Sequence, residues 1–293
     1  MSLGPSPIAR RRRLGAELCT LRERSKLSPV ELGGLLGWTE TKVRRLETAR
    51  VRPNVGEVMD LLDALRVTGL QREHVLDLAR EAMYAPGWHD SYNDGAVEGQ
   101  HAMADLENNA LEMWEFQLTL FPGMLQCPEY AIARFGSRPS VGKTPVDLVA
   151  AVRKRMARQQ ALTRATPFSY EAILDESLLI RRCGPPGVRT LQLDYLIDLA
   201  RLPTVTVRVL PHDAPVAKFY VPTSAFVYFR LADPVDPELI VLDTESSSLV
   251  LSDNDDVTHY RRLFEAIREA SFPADDSLEL LRAARDNPEE IPE

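Results

Sequence analysis

Six side chains between positions 39 and 48 can hydrogen-bond base edges or phosphates: Thr39, Glu40, Thr41, Arg44, Arg45 and Thr48. Arginine can grip guanine O6 and N7 with two donors. Threonine can bond several base edges, and glutamate can only accept, from cytosine N4. Val43 and Leu46, three apart, give the same segment an inward apolar side if it is helical. A second group is the run Arg10 to Arg13 at the start of a helical pattern. A helix N-terminus disfavours cations, so phosphates or a narrow minor groove would neutralise them there. A solvated basic N-terminus is the plainer alternative. Lys42, Arg50 and Arg52 complete the set expected to face phosphates. The chemistry expected is recognition of double-stranded DNA.

Two short helices must position these groups. Ser28 is a good N-cap, Pro29 suits the first helical position, and Glu31 closes a capping box three residues after the cap. Leu32, Leu35 and Leu36 give this helix an apolar face, and Gly33 removes bulk where a second helix would cross. Gly37 can supply the positive φ of the turn, and Thr39 caps the second helix. Leu14, Leu18 and Leu21 mark an amphipathic helix upstream, over about 9–25. Asn54 opens another downstream, with Val55, Val58, Leu61, Leu62 and Leu65 inward. The expected unit is a compact all-α bundle of four or five helices within residues 1–80. The alternative is an ordinary helical hairpin with Arg44 and Arg45 merely solvated.

Charge favours the first reading. The chain carries a net −8, which argues against general nucleic-acid affinity. Residues 1–53 nevertheless hold twelve Arg and Lys against five Glu. That asymmetry concentrates phosphate attraction at one end of an acidic chain.

Residues 9–66 resemble the lambda-repressor/Cro-like (XRE-type) helix-turn-helix domain. Two positions depart from its pattern. Glu40 stands where the family commonly has an adenine-reading glutamine, and Ala49 stands where a glycine commonly follows the recognition helix. The first departure changes the expected operator sequence, and the second predicts a less sharp turn.

The other three-quarters of the chain is long enough for a second domain with its own core. No apolar run approaches 18 residues, and no apolar stretch follows the basic N-terminus, so neither a membrane span nor a secretion signal is expected. Cys19, Cys127 and Cys183 are far apart and odd in number, which suggests incidental reduced thiols in a cytoplasmic protein. A connector with Trp88 and Tyr92 is expected over 81–101, then an α/β domain over 102–273 and an acidic tail over 274–293. The domain should open with one or two helices from about 102 to 114, turn at Phe121 to Gln126, and continue in a helix from Pro128 through Phe135 and a second, long one from Thr144 to about Thr163. That second helix buries Leu148, Val149, Val152 and Met156, and its other face bears Arg153, Lys154, Arg155 and Arg158, read as solvated or salt-bridged. Strands follow near 168–174, 204–210, 224–230, 239–243 and 248–251, with helices near 175–182, 188–202, 256–270 and 277–285. The fold class is α+β: an all-α helix-turn-helix bundle, then helices around a small mixed sheet.

Three stretches of this region, Phe121 to Ala131, Ile173 to Glu176 and Thr204 to Pro211, are similar to the hallmark segments of an actinobacterial domain of unknown function. Together with the N-terminal domain, they resemble the WhiJ-like, antitoxin-like transcriptional regulators. The resemblance implies a DNA-binding regulator of development or secondary metabolism, often encoded beside a small acidic partner protein. No His-Glu-x-x-His helix, Cys-x-x-Cys pair or glycine-rich phosphate loop appears, and the five histidines are dispersed, so no catalytic residue, metal or cofactor is assigned. Asp175 and Glu176 could form an active-site carboxylate pair, or simply cap the next helix. His212-Asp213 reads as a turn. Three functions remain: a homodimeric regulator whose second domain binds a partner protein, a one-component sensor of a small ligand, and an enzyme on a DNA-targeting module. Under the first, Phe121, Met124 and Leu125 anchor the partner if exposed, or plug the core if buried.

Overall fold

A computed structural model describes residues 7–49, 51, 53–83, 103–104, 106–137, 147–165, 168–182, 184–216, 220–232, 238–243 and 248–287. Arg50, Arg52, Cys183 and the expected connector past Met83 lie outside them. The chain divides into two units, Met1–Asn109 and Ala110–Glu293.

The first unit contains α1 (Pro7–Arg24), α2 (Pro29–Leu36), α3 (Glu40–Glu47), α4 (Val55–Ala64) and α5 (Gly69–Met83). Leu14, Leu18 and Leu21 of α1 meet Leu32, Val43, Leu46, Val58, Leu61, Leu62 and Val75 in one core. α2, α3 and α4, of 8, 8 and 10 residues, are too short to be stable alone in water, so shared burial holds them. Leu35 departs from expectation and is 64% exposed. Leu32 and Leu36, four apart, define the packed side of α2, and Leu35 is turned away from it.

The second unit is built on a six-stranded mixed sheet of β1 (Ala110–Gln117), β2 (Ser169–Asp175), β3 (Val205–Leu210), β4 (Phe226–Leu231), β5 (Glu238–Asp243) and β6 (Ser248–Leu251). The spatial order is β3-β2-β1-β4-β5-β6. β1 runs parallel to β2, and β2 parallel to β3, whereas β1–β4, β4–β5 and β5–β6 are antiparallel. Parallel neighbours need long crossovers. α6 (Pro128–Gly136) and α7 (Leu148–Arg158) lie between β1 and β2, and α8 (Ser177–Ile180) and α9 (Val188–Leu199) between β2 and β3. α10 (Asn254–Ala270) buries Val257, Phe264 and Ile267 with Trp114, Phe116, Phe226, Tyr228 and Ile240 of the sheet.

Two expectations are corrected. Helix does not continue to Trp114: residues 110–117 form a central strand between β2 and β4. Its glutamates are satisfied by distant partners, Glu112 by Arg230 at 2.9 Å and Glu115 by the Tyr170 hydroxyl at 2.6 Å. The helix expected near 277–285 is present and begins slightly earlier, at Ala274. α11 (Ala274–Asp286) buries Ser277 and Leu281, and Ser277 Oγ accepts the Val209 N–H at 3.0 Å, fastening the helix to β3. On α7, Ala151 is buried while Val149 is exposed, so the helix is rotated from the expected inward face.

Candidate nucleic-acid interface

The turn between α2 and α3 is fixed by local chemistry. Ser28 Oγ accepts the Glu31 N–H at 3.2 Å, and Glu31 Oε2 accepts the Ser28 N–H at 2.7 Å. Hydrogen bonding from Ser28 to the carboxylate, chiefly from its backbone N–H, holds the Glu31 carboxyl below its usual range. Gly37 ends α2 at φ 67°, where a side chain would be strained. At Gly33 a methyl would lie 2.8 Å from the Trp38 carbonyl oxygen, so only glycine allows this crossing. Thr39 caps α3 by accepting the Lys42 N–H at 3.3 Å.

α3 leaves a continuous outward side. Thr39, Glu40, Thr41, Arg44, Arg45 and Thr48 are all exposed, while Val43 and Leu46 are buried. Glu40 Oε1 accepts from Arg44 Nε at 2.6 Å. The Thr48 hydroxyl donates to the Arg44 carbonyl at 2.6 Å. Among the described residues Arg45 has no ion-pair partner. Arg44 and Arg45 are thus presented differently: one held by a carboxylate of its own helix, the other not.

The expected phosphate set divides. Arg11 is buried, which removes it from that set. Arg10 is paired with Glu81 of α5, and Arg13 Nη2 lies 3.4 Å from His74 Nε2, so these basic residues also bind α1 to α5. Arg12 remains partly exposed. Lys42 donates to Glu57 at 2.7 Å and stands over the Trp38 ring, 4.2 Å from its centre. Its charge is partly compensated, and any phosphate would compete with Glu57.

Two supports were not foreseen. Arg22, only 7% exposed, donates Nε to Glu47 Oε1 at 2.6 Å and Nη2 to Glu47 Oε2 at 3.1 Å, with Nη1 on the Leu27 carbonyl at 2.9 Å. This bidentate pair ties α1 to the end of α3. Beside it, Gly15 of α1 leaves no room for a methyl against the Glu47 carbonyl. A glycine inside a helical pattern was the available signal for that approach. The Arg22–Glu47 contact, 25 residues apart, had none.

In the second unit, the turn from Phe121 to Gln126 is a plug. Phe121 is 2% exposed, and Met124 and Leu125 are fully buried, which overturns their use as surface anchors. A proline-glycine bend leaves backbone groups without helical or sheet partners, and buried glutamines supply them. Gln126 Nε2 donates to the Phe121 carbonyl at 2.7 Å. Gln192 donates to the Leu125 carbonyl at 2.7 Å and accepts the Cys127 N–H at 2.9 Å. Gln159 Nε2 donates to the Gln126 carbonyl at 2.6 Å, and Arg155 Nη1 donates to Gln126 Oε1 at 2.7 Å. Arg155 is therefore a buttress of the turn and not part of a solvated basic face. Burial pushes the Cys127 thiol up to about 11, leaving it un-ionised near neutrality.

Asp175 Oδ1 accepts the Ser177 N–H at 2.9 Å and Glu176 Oε2 accepts the His212 N–H at 3.0 Å. Both carboxylates thus hold backbone. Among the described residues no cluster of three or more His, Cys, Asp or Glu is placed to hold a metal ion, and no helix is long and apolar enough to cross a membrane.

A family model described as a helix-turn-helix domain matches residues 13–75. A second, described as a domain of unknown function (DUF5753), matches residues 100–283. No curated protein and no solved structure matches the chain.

Proposed function

The chain belongs to the DUF5753 family, and from that premise we propose that it is a sequence-specific transcriptional regulator of the XRE-type, antitoxin-like kind, acting in the cytoplasm. The observation that carries the reading is the outward side of α3, where Thr39, Glu40, Thr41, Arg44, Arg45 and Thr48 stand exposed on a helix fixed by caps and core. Thr41, Arg44 and Arg45 face base edges, while Arg12, Arg13 and Lys42 serve phosphates.

One recognition helix reads few base pairs, so two copies are needed on half-sites roughly 34 Å apart. Most apolar residues of the first unit are used in its own core, although Val30, Leu35, Met59 and Leu70 stay exposed. In this reading the second and larger unit supplies much of the homodimer contact and receives a partner protein, a small acidic product of a neighbouring gene, on a surface other than the buried Phe121 turn. Under the same reading the second unit is a binding module, and the engagement of Asp175 and Glu176 on backbone N–H groups supports a structural role for that pair.

Enrichment of random duplex DNA by the full chain tests the central part. A motif of two related half-sites should emerge, with affinity falling steeply as salt rises. Enrichment of no sequence would overturn the reading. Light scattering should give twice the monomer mass at tens of micromolar, and a strict monomer would contradict the dimer.

A further inference from the structure

Glu40 and Arg44 lie one helical turn apart on the outward side of α3, and their contact selects one edge of the guanidinium. Arg44 Nε donates to Glu40 Oε1 at 2.6 Å, while the Glu40 and Arg44 side chains stay 43% and 61% exposed. The bond is made by Nε, leaving the Nη1/Nη2 edge to a ligand. That edge carries two donors in a fixed fork, matched in spacing to the O6 and N7 acceptors of guanine. An arginine already held in place also loses less side-chain freedom when it binds. The carboxylate is anchored in turn. Glu40 is the first residue of α3, beside its cap Thr39, where the helix N-terminus favours a negative charge.

We infer that Glu40 is a positioning residue for guanine recognition: it clamps Arg44 so that the Nη pair reads one guanine of the DNA site. The inference rests on the DNA-binding reading above and assigns the base. Glu40, with its carboxylate engaged by Arg44, does not itself read cytosine. Arg45, one residue on, has no ion-pair partner among the described residues and serves as the unclamped control.

The test is a double-mutant cycle on the full chain, with the enriched duplex and single-base variants of it. Wild type should prefer guanine at one position by about tenfold or more. Arg44→Ala and Glu40→Ala should each lose most of that preference, and the double variant should lose no more than Arg44→Ala alone. Glu40→Ala should bind random DNA as well as wild type or better, since an anion is removed from near the phosphates. That result separates lost positioning from lost folding, and an unchanged helical circular-dichroism signal confirms it. Glu40→Ala combined with Arg45→Ala should instead be additive. A guanine preference that survives Glu40→Ala would overturn the clamp. So would a change at a different base pair, independent of Arg44, which would mean direct cytosine reading. In both cases wild type still enriches a motif and the DNA-binding reading stands, whereas enrichment of no motif would remove both.

Discussion

At Arg22 the positive charge of the N-terminal region is turned inward. Its guanidinium spans both carboxylate oxygens of Glu47, and both side chains are almost fully covered. Removing one member of such a pair leaves the other buried and uncompensated. Arg22→Ala should therefore destabilise the first unit by about 3 kcal/mol. Arg24→Ala, at an exposed position, should change stability by less than about 0.5 kcal/mol. Urea melting followed by helical signal checks both. Ala49 is the opposite case, a small residue in a costly conformation. It follows α3 with φ 57°, so the left-handed turn expected from a glycine is kept without one. A Cβ in that region costs about 1 kcal/mol, and Ala49→Gly should recover roughly that amount as a higher melting midpoint. Arg22 and Ala49 also mark what composition hides. Arg11, Arg22 and Lys42 all belong to the basic excess of residues 1–53, yet one is buried, one is in a covered ion pair and one is paired with Glu57.

Among the elements, α1 and α3 are held at a distance that only Gly15 permits. Gly15→Ala would drive a methyl into the Glu47 carbonyl. The helices must separate, at a cost of about 2–3 kcal/mol typical of overpacking, and the outward side of α3 must tilt. Thermal melting should show the loss, and affinity for the enriched DNA should fall with it. The α2–α3 turn was legible because its determinants are local: Ser28, Pro29, Glu31, Gly37 and Thr39 each act within four residues. β3 was legible for the same reason, since Val205, Val207 and Val209 alternate and are buried in alternation. β1 was not. Its sequence, Ala-Leu-Glu-Met-Trp-Glu-Phe, is rich in good helix formers. What makes it a strand is pairing with segments more than 50 residues away, including Arg230 and Tyr170 for its two glutamates. The plug at Phe121 was half legible. The proline-glycine bend was evident, but Gln126, Gln159 and Gln192, which satisfy it, come together only through α7 and α9.

Over the whole molecule, charge is distributed unevenly along the chain. The basic excess lies before residue 53 in a chain of net −8, so attraction to phosphates is local and the remainder opposes it. Affinity for any DNA should then depend strongly on salt, while discrimination between sequences should depend on α3. The two can be separated in one measurement: the ratio of affinities for the enriched site and for a scrambled duplex, at one fixed salt concentration, for wild type, Arg44→Ala, Arg45→Ala and Arg12→Ala. If the outward side of α3 reads bases, the first two variants lower the ratio, with about 1–3 kcal/mol lost on the enriched site for a bidentate contact to guanine. Arg12→Ala weakens both duplexes together and leaves the ratio unchanged. Equal losses on enriched and scrambled DNA for Arg44→Ala and Arg45→Ala would contradict base reading by α3.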